Sequence, residues 1–84
     1  MPVKKYHYVY IIISGQDSSR HYVGCTSNIG ARLKKHNEGG CPHTTKFKPW
    51  ILETCLAFAD KAKAIAFETY LKTGSGREFA RRHF

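Results

Sequence analysis

Hydrophobic and polar positions along the 84-residue chain alternate between strand-like and helix-like spacing. Tyr6 to Ile13 is rich in Tyr, Val and Ile, and its unbroken run Val9-Tyr10-Ile11-Ile12-Ile13 has the composition of a buried strand. The turn-forming residues Ser14-Gly15-Gln16-Asp17-Ser18-Ser19 end it, and Arg20 to Cys25 reads as a second strand. So short a polar connection makes an antiparallel hairpin the economical pairing, which brings Tyr10 and Tyr22 onto neighbouring strands. A helix is predicted after Ser27 or Asn28, either of which can cap free backbone N–H groups, and it ends near Asn37-Glu38, before Gly39-Gly40. Within it Ile29 and Leu33 supply core contacts, while Arg32 and His36, four apart, share a face.

Gly40 to Lys48 is loop-like and basic, with Thr44-Thr45-Lys46 before Phe47, and Pro49 sets up an extended segment. Trp50 to Phe58 is a third strand with Glu53 as its one charge. Asp60 caps a helix that reaches about Thr73, with Ala64, Ile65, Phe67 and Leu71 as its buried stripe. Glu68 falls inside that stripe, so its carboxylate faces the core side. Gly74 suits a left-handed C-cap, and Ser75-Gly76-Arg77-Glu78 has capping-box spacing at the start of a short basic helix through Arg81-Arg82-His83. The order ββαβαα predicts an α+β fold, a small antiparallel three-stranded β-sheet flanked by helices, as one domain over residues 1–84.

Composition narrows the functional classes. A single modest core burying about 60% of the unfolded surface is all this length supports. Lys and Arg number 14 against 6 Asp and Glu, a formal charge of +8 that favours a polyanionic partner, although charge alone also describes a soluble basic surface. No apolar run approaches the roughly 20 residues of a membrane-spanning helix, and no export signal is evident, so the expected location is the cytosol, away from membranes. Cys25, Cys41 and Cys55 are odd in number and widely spaced, as reduced thiols are. Cys41-Pro42-His43 offers two ligands at an awkward spacing and no second pair, which is poor material for zinc.

A carboxylate among apolar neighbours is expensive unless something cationic meets it, so Glu68 calls either for a salt bridge, to Arg32 or another basic residue, or for a metal ion. Tyr10 and Tyr22 read individually as core tyrosines, and Arg32 and His36 as helix-surface residues. Their order in the chain points further. Tyr8-Val9-Tyr10, then Tyr22-Val23-Gly24, then Arg32-x-x-x-His36 and a distant Glu68 resembles the GIY-YIG nuclease superfamily. The likeness is to its small stand-alone bacterial members and to the nuclease domain of the excision-repair subunit UvrC, over nearly the whole chain.

That resemblance implies a metal-dependent endonuclease that hydrolyses DNA phosphodiester bonds, with RNA not excluded as a partner. Glu68 is then the ligand of Mg²⁺ or Mn²⁺, and Arg32 binds the non-bridging oxygens as charge builds on them. One of Tyr10 and Tyr22 is the general base, with the choice between them left open, and His36 takes the tyrosyl proton or binds phosphate. Gly24 permits close approach at the strand end, or marks a bulge. The chain departs from the family pattern at Tyr8, where glycine is common, and at Cys25, where some relatives carry Lys or Thr. Lys34, Lys35, Lys46, Lys48, Lys72, Arg77, Arg81 and Arg82 are candidate phosphate contacts, which give affinity with little sequence information. Without a recognition module, cutting is expected to be structure-directed, single-strand-directed or targeted by a protein partner. A non-catalytic nucleic-acid-binding module on the same scaffold is the alternative. A basic protein of a ribonucleoprotein keeps the charge and leaves the Tyr-Arg-Glu set unexplained. The active-site reading predicts that Tyr10, Tyr22, Arg32 and Glu68 line one groove on one face of the sheet, with His36 at its edge.

Overall fold

The structure is a computed structural model and describes residues 5–40 and 42–84. Its strands β1 (His7–Ser14), β2 (His21–Thr26) and β3 (Trp50–Phe58) form an antiparallel sheet in the order β2-β1-β3. The central position of β1 accounts for its unbroken apolar run, because helices cover both of its faces. Val9 and Ile11 pack with Ala64 and Leu71 on one face, and Tyr10 and Ile12 pack with Trp50 on the other.

Helix α1 (Ile29–Asn37) lies over the Tyr10 face through Ile29 and Leu33. Helices α3 (Lys61–Leu71) and α4 (Gly74–His83) cover the Val9 face through Ala64, Phe67, Leu71, Phe79 and Ala80. The caps are those expected for α1 and α3: Asn28 Oδ1 accepts from the Ala31 N–H at 3.0 Å, and Asp60 Oδ1 from the Ala62 N–H at 2.8 Å.

Between α1 and β3, a segment read as loop contains a short helix, α2 (Pro42–Thr45), and then crosses the cis Lys48–Pro49 peptide into β3. Side chains fasten it where strand pairing is missing. The Asn37 amide donates to the Trp50 carbonyl at 3.1 Å and accepts from the Trp50 N–H at 2.5 Å, as a strand neighbour would. The buried Ser14 hydroxyl donates to the Phe47 carbonyl and accepts from the Gln16 and Asp17 N–H groups.

Three local expectations are corrected. Ile65 is 47% exposed, because the sheet-facing stripe of α3 runs through Ala64, Phe67, Glu68 and Leu71, and Ile65 lies a third of a turn away. Gly74 is the first residue of α4 and not a left-handed C-cap; Gly39, at φ 80° after α1, takes that conformation. Thr73 caps α4 in place of Ser75, accepting from the Gly76 N–H at 3.1 Å while donating to the Tyr70 carbonyl at 2.6 Å. Glu78 is thereby released from capping and pairs with Arg81 and Arg82.

Gly24 lies opposite Tyr10 in the β1–β2 ladder, and a Cβ there would collide with the Tyr10 ring and hydroxyl. Its role is to make room for Tyr10; the register irregularity lies elsewhere, between Ile11 and Ile12 against β3. Gly24→Ala is therefore expected to cost about 1–3 kcal/mol, the penalty of overpacking a fitted core. A lower denaturant midpoint at unchanged slope is the corresponding measurement.

Candidate active site

The register sets the site. Tyr10 faces Gly24 and Ile12 faces Tyr22, so period-2 alternation sends Tyr10 and Tyr22 to the face that α1 covers. The ring centroids of Tyr10 and Tyr22 are 6.4 Å apart, and His36 reaches in from the last turn of α1 to 5.8 Å from Tyr10 and 5.0 Å from Tyr22. The Tyr10 hydroxyl is hydrogen-bonded to His36 Nε2 at 2.9 Å, and His36 Nδ1 to Thr44 Oγ1 at 2.8 Å. The Thr44 carbonyl in turn accepts from the Trp50 indole N–H at 2.6 Å. Tyr10 and His36 are fully buried, whereas Tyr22 is half-buried and reaches solvent.

Burial pushes the His36 pKa down, and the positive charges of Arg32 and Lys35 push it further the same way. The imidazole is therefore neutral inside the fold, with one nitrogen donating and the other accepting. Below the unfolded pKa of about 6.5, the unfolded chain takes up a proton that folded His36 refuses, so stability falls as pH falls through that value. Thermal melts of the parent between pH 7.5 and 5 are expected to show this loss, at no more than about 1.4 kcal/mol per pH unit. His36→Gln is expected to show a shallower acid slope.

Arg32 is half-buried one turn before His36, and its guanidinium makes no hydrogen bond or ion pair with the described residues. A cation whose charge reaches His36 and Cys25, and that has no partner among the described residues, is suited to an anion from outside.

Glu68 stands elsewhere. It rises from α3, over the opposite face of the sheet, with its side chain 22% exposed and its Oε2 3.8 Å from Lys72 Nζ. Its ion-pair partner is thus Lys72, one turn along the same helix, and not Arg32. The single groove on one face is corrected accordingly: Tyr10, Tyr22 and His36 lie on the α1 side and Glu68 on the α3 side. The two sides meet around the outer edge of β2. Cys25, a free thiol on that strand, has its pKa raised by burial and by the Glu68 charge, and is drawn down again by Lys61 and Arg32. Glu68 and Arg32 therefore both act on the same edge position.

A lone, solvent-accessible carboxylate with a weakly held lysine fits Mg²⁺ or Mn²⁺, which keep most of their waters and bind through one or two carboxylates and substrate phosphate. Among the described residues no group of three or more His, Cys, Asp or Glu could hold a metal ion as an all-protein cage. Cys41, of the weak Cys41-Pro42-His43 zinc reading, lies outside the described residues.

The remaining candidate cations form two surface sets. Around α1 and the segment after it, Lys34 pairs with Glu38 at 3.7 Å, Lys35 and Lys48 are exposed, and Lys46 Nζ lies 5.7 Å from the Phe47 ring centre. At the other side, Lys72 pairs with Glu68, and Arg77 is exposed without a partner among the described residues. Arg81 and Arg82 bond Glu78. Such exposed pairs are screened by solvent and do not hold these cations back from a phosphate. Thr44 is the residue that sequence reading missed, since nothing local signals that a threonine in a polar segment meets a histidine eight positions earlier.

Three strands in the order β2-β1-β3 thus carry two tyrosines that converge on a helix histidine, with a glutamate on α3. Residues 6–82 match the GIY-YIG catalytic domain, and the chain belongs to this nuclease family. A UPF0213 protein of Staphylococcus haemolyticus is 36% identical over 73 residues, 86% of this chain and 87% of the relative. A UPF0213 protein of Bacillus licheniformis is 40% identical over 67 residues, 79% of this chain and 67% of the relative. The structure-specific endonuclease subunit SLX1 homolog of Cryptosporidium parvum is 33% identical over 66 residues, 74% of this chain but 16% of that longer protein.

Proposed function

We propose that the protein is a divalent-metal-dependent endonuclease that hydrolyses DNA phosphodiester bonds, directed by DNA structure or by single-strandedness. The observation that carries this reading is the Tyr10, Tyr22 and His36 cluster, bonded to Thr44 and set in the field of Arg32, which has no partner among the described residues. A core built only for packing would use Phe and an aliphatic residue here, because a buried phenol–imidazole–hydroxyl chain brings desolvation costs that apolar groups avoid.

The site would work around the outer edge of β2. Arg32 would grip the non-bridging oxygens of the scissile phosphate and stabilise the charge that builds there. Tyr22, open to solvent, would accept the attacking water's proton at its phenolic oxygen in the phenolate form. Tyr10 is enclosed, so its part is to hold His36 through Nε2 while Thr44 holds Nδ1. Glu68 would hold Mg²⁺ or Mn²⁺, which when bound supplies Lewis-acid polarisation of a phosphate oxygen and stabilises the leaving oxygen. Lys72 would leave Glu68 for substrate phosphate as the ion binds. Among the described residues no helix is long and apolar enough to cross a membrane, and the free thiols of Cys25 and Cys55 accord with the cytosol.

A panel of flapped, branched, single-stranded and blunt duplex DNA tests the reading. At least one substrate is expected to be cut with Mg²⁺ or Mn²⁺, and none with chelator. Salt-sensitive DNA binding without cleavage under any ion or geometry would identify a non-catalytic module instead.

A further inference from the structure

A groove of about 840 Å³ opens beside the β2 edge, between the sheet and the C-terminal parts of α3 and α4. Ile11, Val23, Leu71 and Ala80 provide apolar surface within it, and Arg20, Lys72, Arg77 and Arg81 bring four positive charges to its walls. The one acidic side chain that lines it, Glu53, is engaged by His21 at 3.3 Å. Phe84, 42% exposed as a residue, also lines it, with its ring braced edge-on against Phe79 at 5.5 Å between centroids. Arg77, Arg81 and Phe84 follow one another at helical spacing, so one face of α4 presents two guanidinium groups and an aromatic ring together.

We infer that this groove receives the unpaired nucleotides flanking the scissile phosphate, with a base stacked on Phe84 and its phosphates on Arg77 and Arg81. Stacking rings inside a cationic channel are how single strands are held without sequence preference. Size selects the same ligand: a pocket of this volume encloses a molecule the size of a drug or a dinucleotide, and a duplex cannot enter it. Position does too, because Lys72, the ion-pair partner of Glu68, lines the groove, and Tyr22 borders it at the β2 edge. Arg77 has no partner among the described residues, and the Glu78 bonds of Arg81 are fully exposed and readily exchanged. The inference rests on the nuclease reading only for its orientation relative to the cut.

Binding is measured in chelator, so cleavage plays no part. The parent, Arg77→Ala and Phe84→Ala are titrated against fluorescent hexathymidylate and a blunt duplex of equal length, with circular dichroism to establish that each variant is folded. Each variant is expected to bind hexathymidylate about 10-fold more weakly and the duplex within twofold of the parent. Arg77→Ala is expected to lower the salt slope by about 0.7, one phosphate contact on a single strand, while Phe84→Ala leaves it unchanged. Unchanged hexathymidylate binding in both folded variants, or equal losses on both DNAs, would overturn the groove. So would a polyglutamate peptide that competes as well as hexathymidylate at matched charge, since charge alone would then suffice. The nuclease reading is judged separately: groove binding without cleavage sinks that reading and keeps the groove, and cleavage with unaffected variants does the reverse.

Discussion

Glu68→Gln is expected to fold like the parent and to lose the proposed metal-dependent cleavage by at least about 10³, more than the 10²–10³ that removal of one transition-state hydrogen-bond donor costs elsewhere. Folding is expected to survive because the carboxylate is partly exposed and the one ion pair it makes among the described residues, with Lys72, is a surface pair worth less than about 1 kcal/mol. The variant keeps the shape and hydrogen-bonding capacity of the side chain and loses the charge a cation needs. Raising Mg²⁺ or Mn²⁺ should recover little, and DNA binding in chelator should not weaken, since a negative charge has been removed from a basic surface. Cleavage at the parent rate by Glu68→Gln and by Glu68→Ala would remove the metal from this position and with it the edge-centred site.

The tyrosines should part company. Tyr22→Phe is expected to lose about 10²–10⁴ in turnover, together with the rise of rate with pH that a general base imposes by having to shed its own proton first. Its stability should change little, because the ring packing against His36 remains. Tyr10→Phe leaves His36 Nε2 without its fully buried partner and is expected to cost about 1–3 kcal/mol of stability. Its rate should fall through a mispositioned His36 and keep the parent's pH profile. A Tyr22→Phe enzyme that cuts at the parent rate would exclude Tyr22 as the base. The sequence assigns the two phenols one joint role; burial separates them into an accessible phenol and an enclosed one.

The strands and long helices were legible because their signals are local. A β-rich run, a cluster of turn residues, and Asn28 or Asp60 ahead of a helical stripe each act over a few neighbours. The short helix α2 was not legible, since four residues are too few to show a period. The start of α4 was misplaced for a different reason. Ser75 and Glu78 have capping spacing, but Thr73 is the residue that can bond both the Tyr70 carbonyl ending α3 and the Gly76 N–H beginning α4. Competition between two possible caps is settled by how closely the helices abut, and that is a tertiary quantity.

By itself the sequence determined the three strands and the existence of the three longer helices, the basic charge and the family, together with the pairing of Tyr10 and Tyr22 on one pleated face. These follow from side-chain period and from residue order, which do not depend on what packs where. Only the tertiary structure decided which helix covers which face. An apolar stripe states that α1 and α3 must be buried but carries no label for the surface that buries them, because hydrophobic association is non-directional. So Glu68 came to lie across the sheet from the tyrosines, Lys72 became its partner, and His36 met Tyr10 and Thr44 in the interior. Contacts between residues distant in the chain arise only when the elements dock.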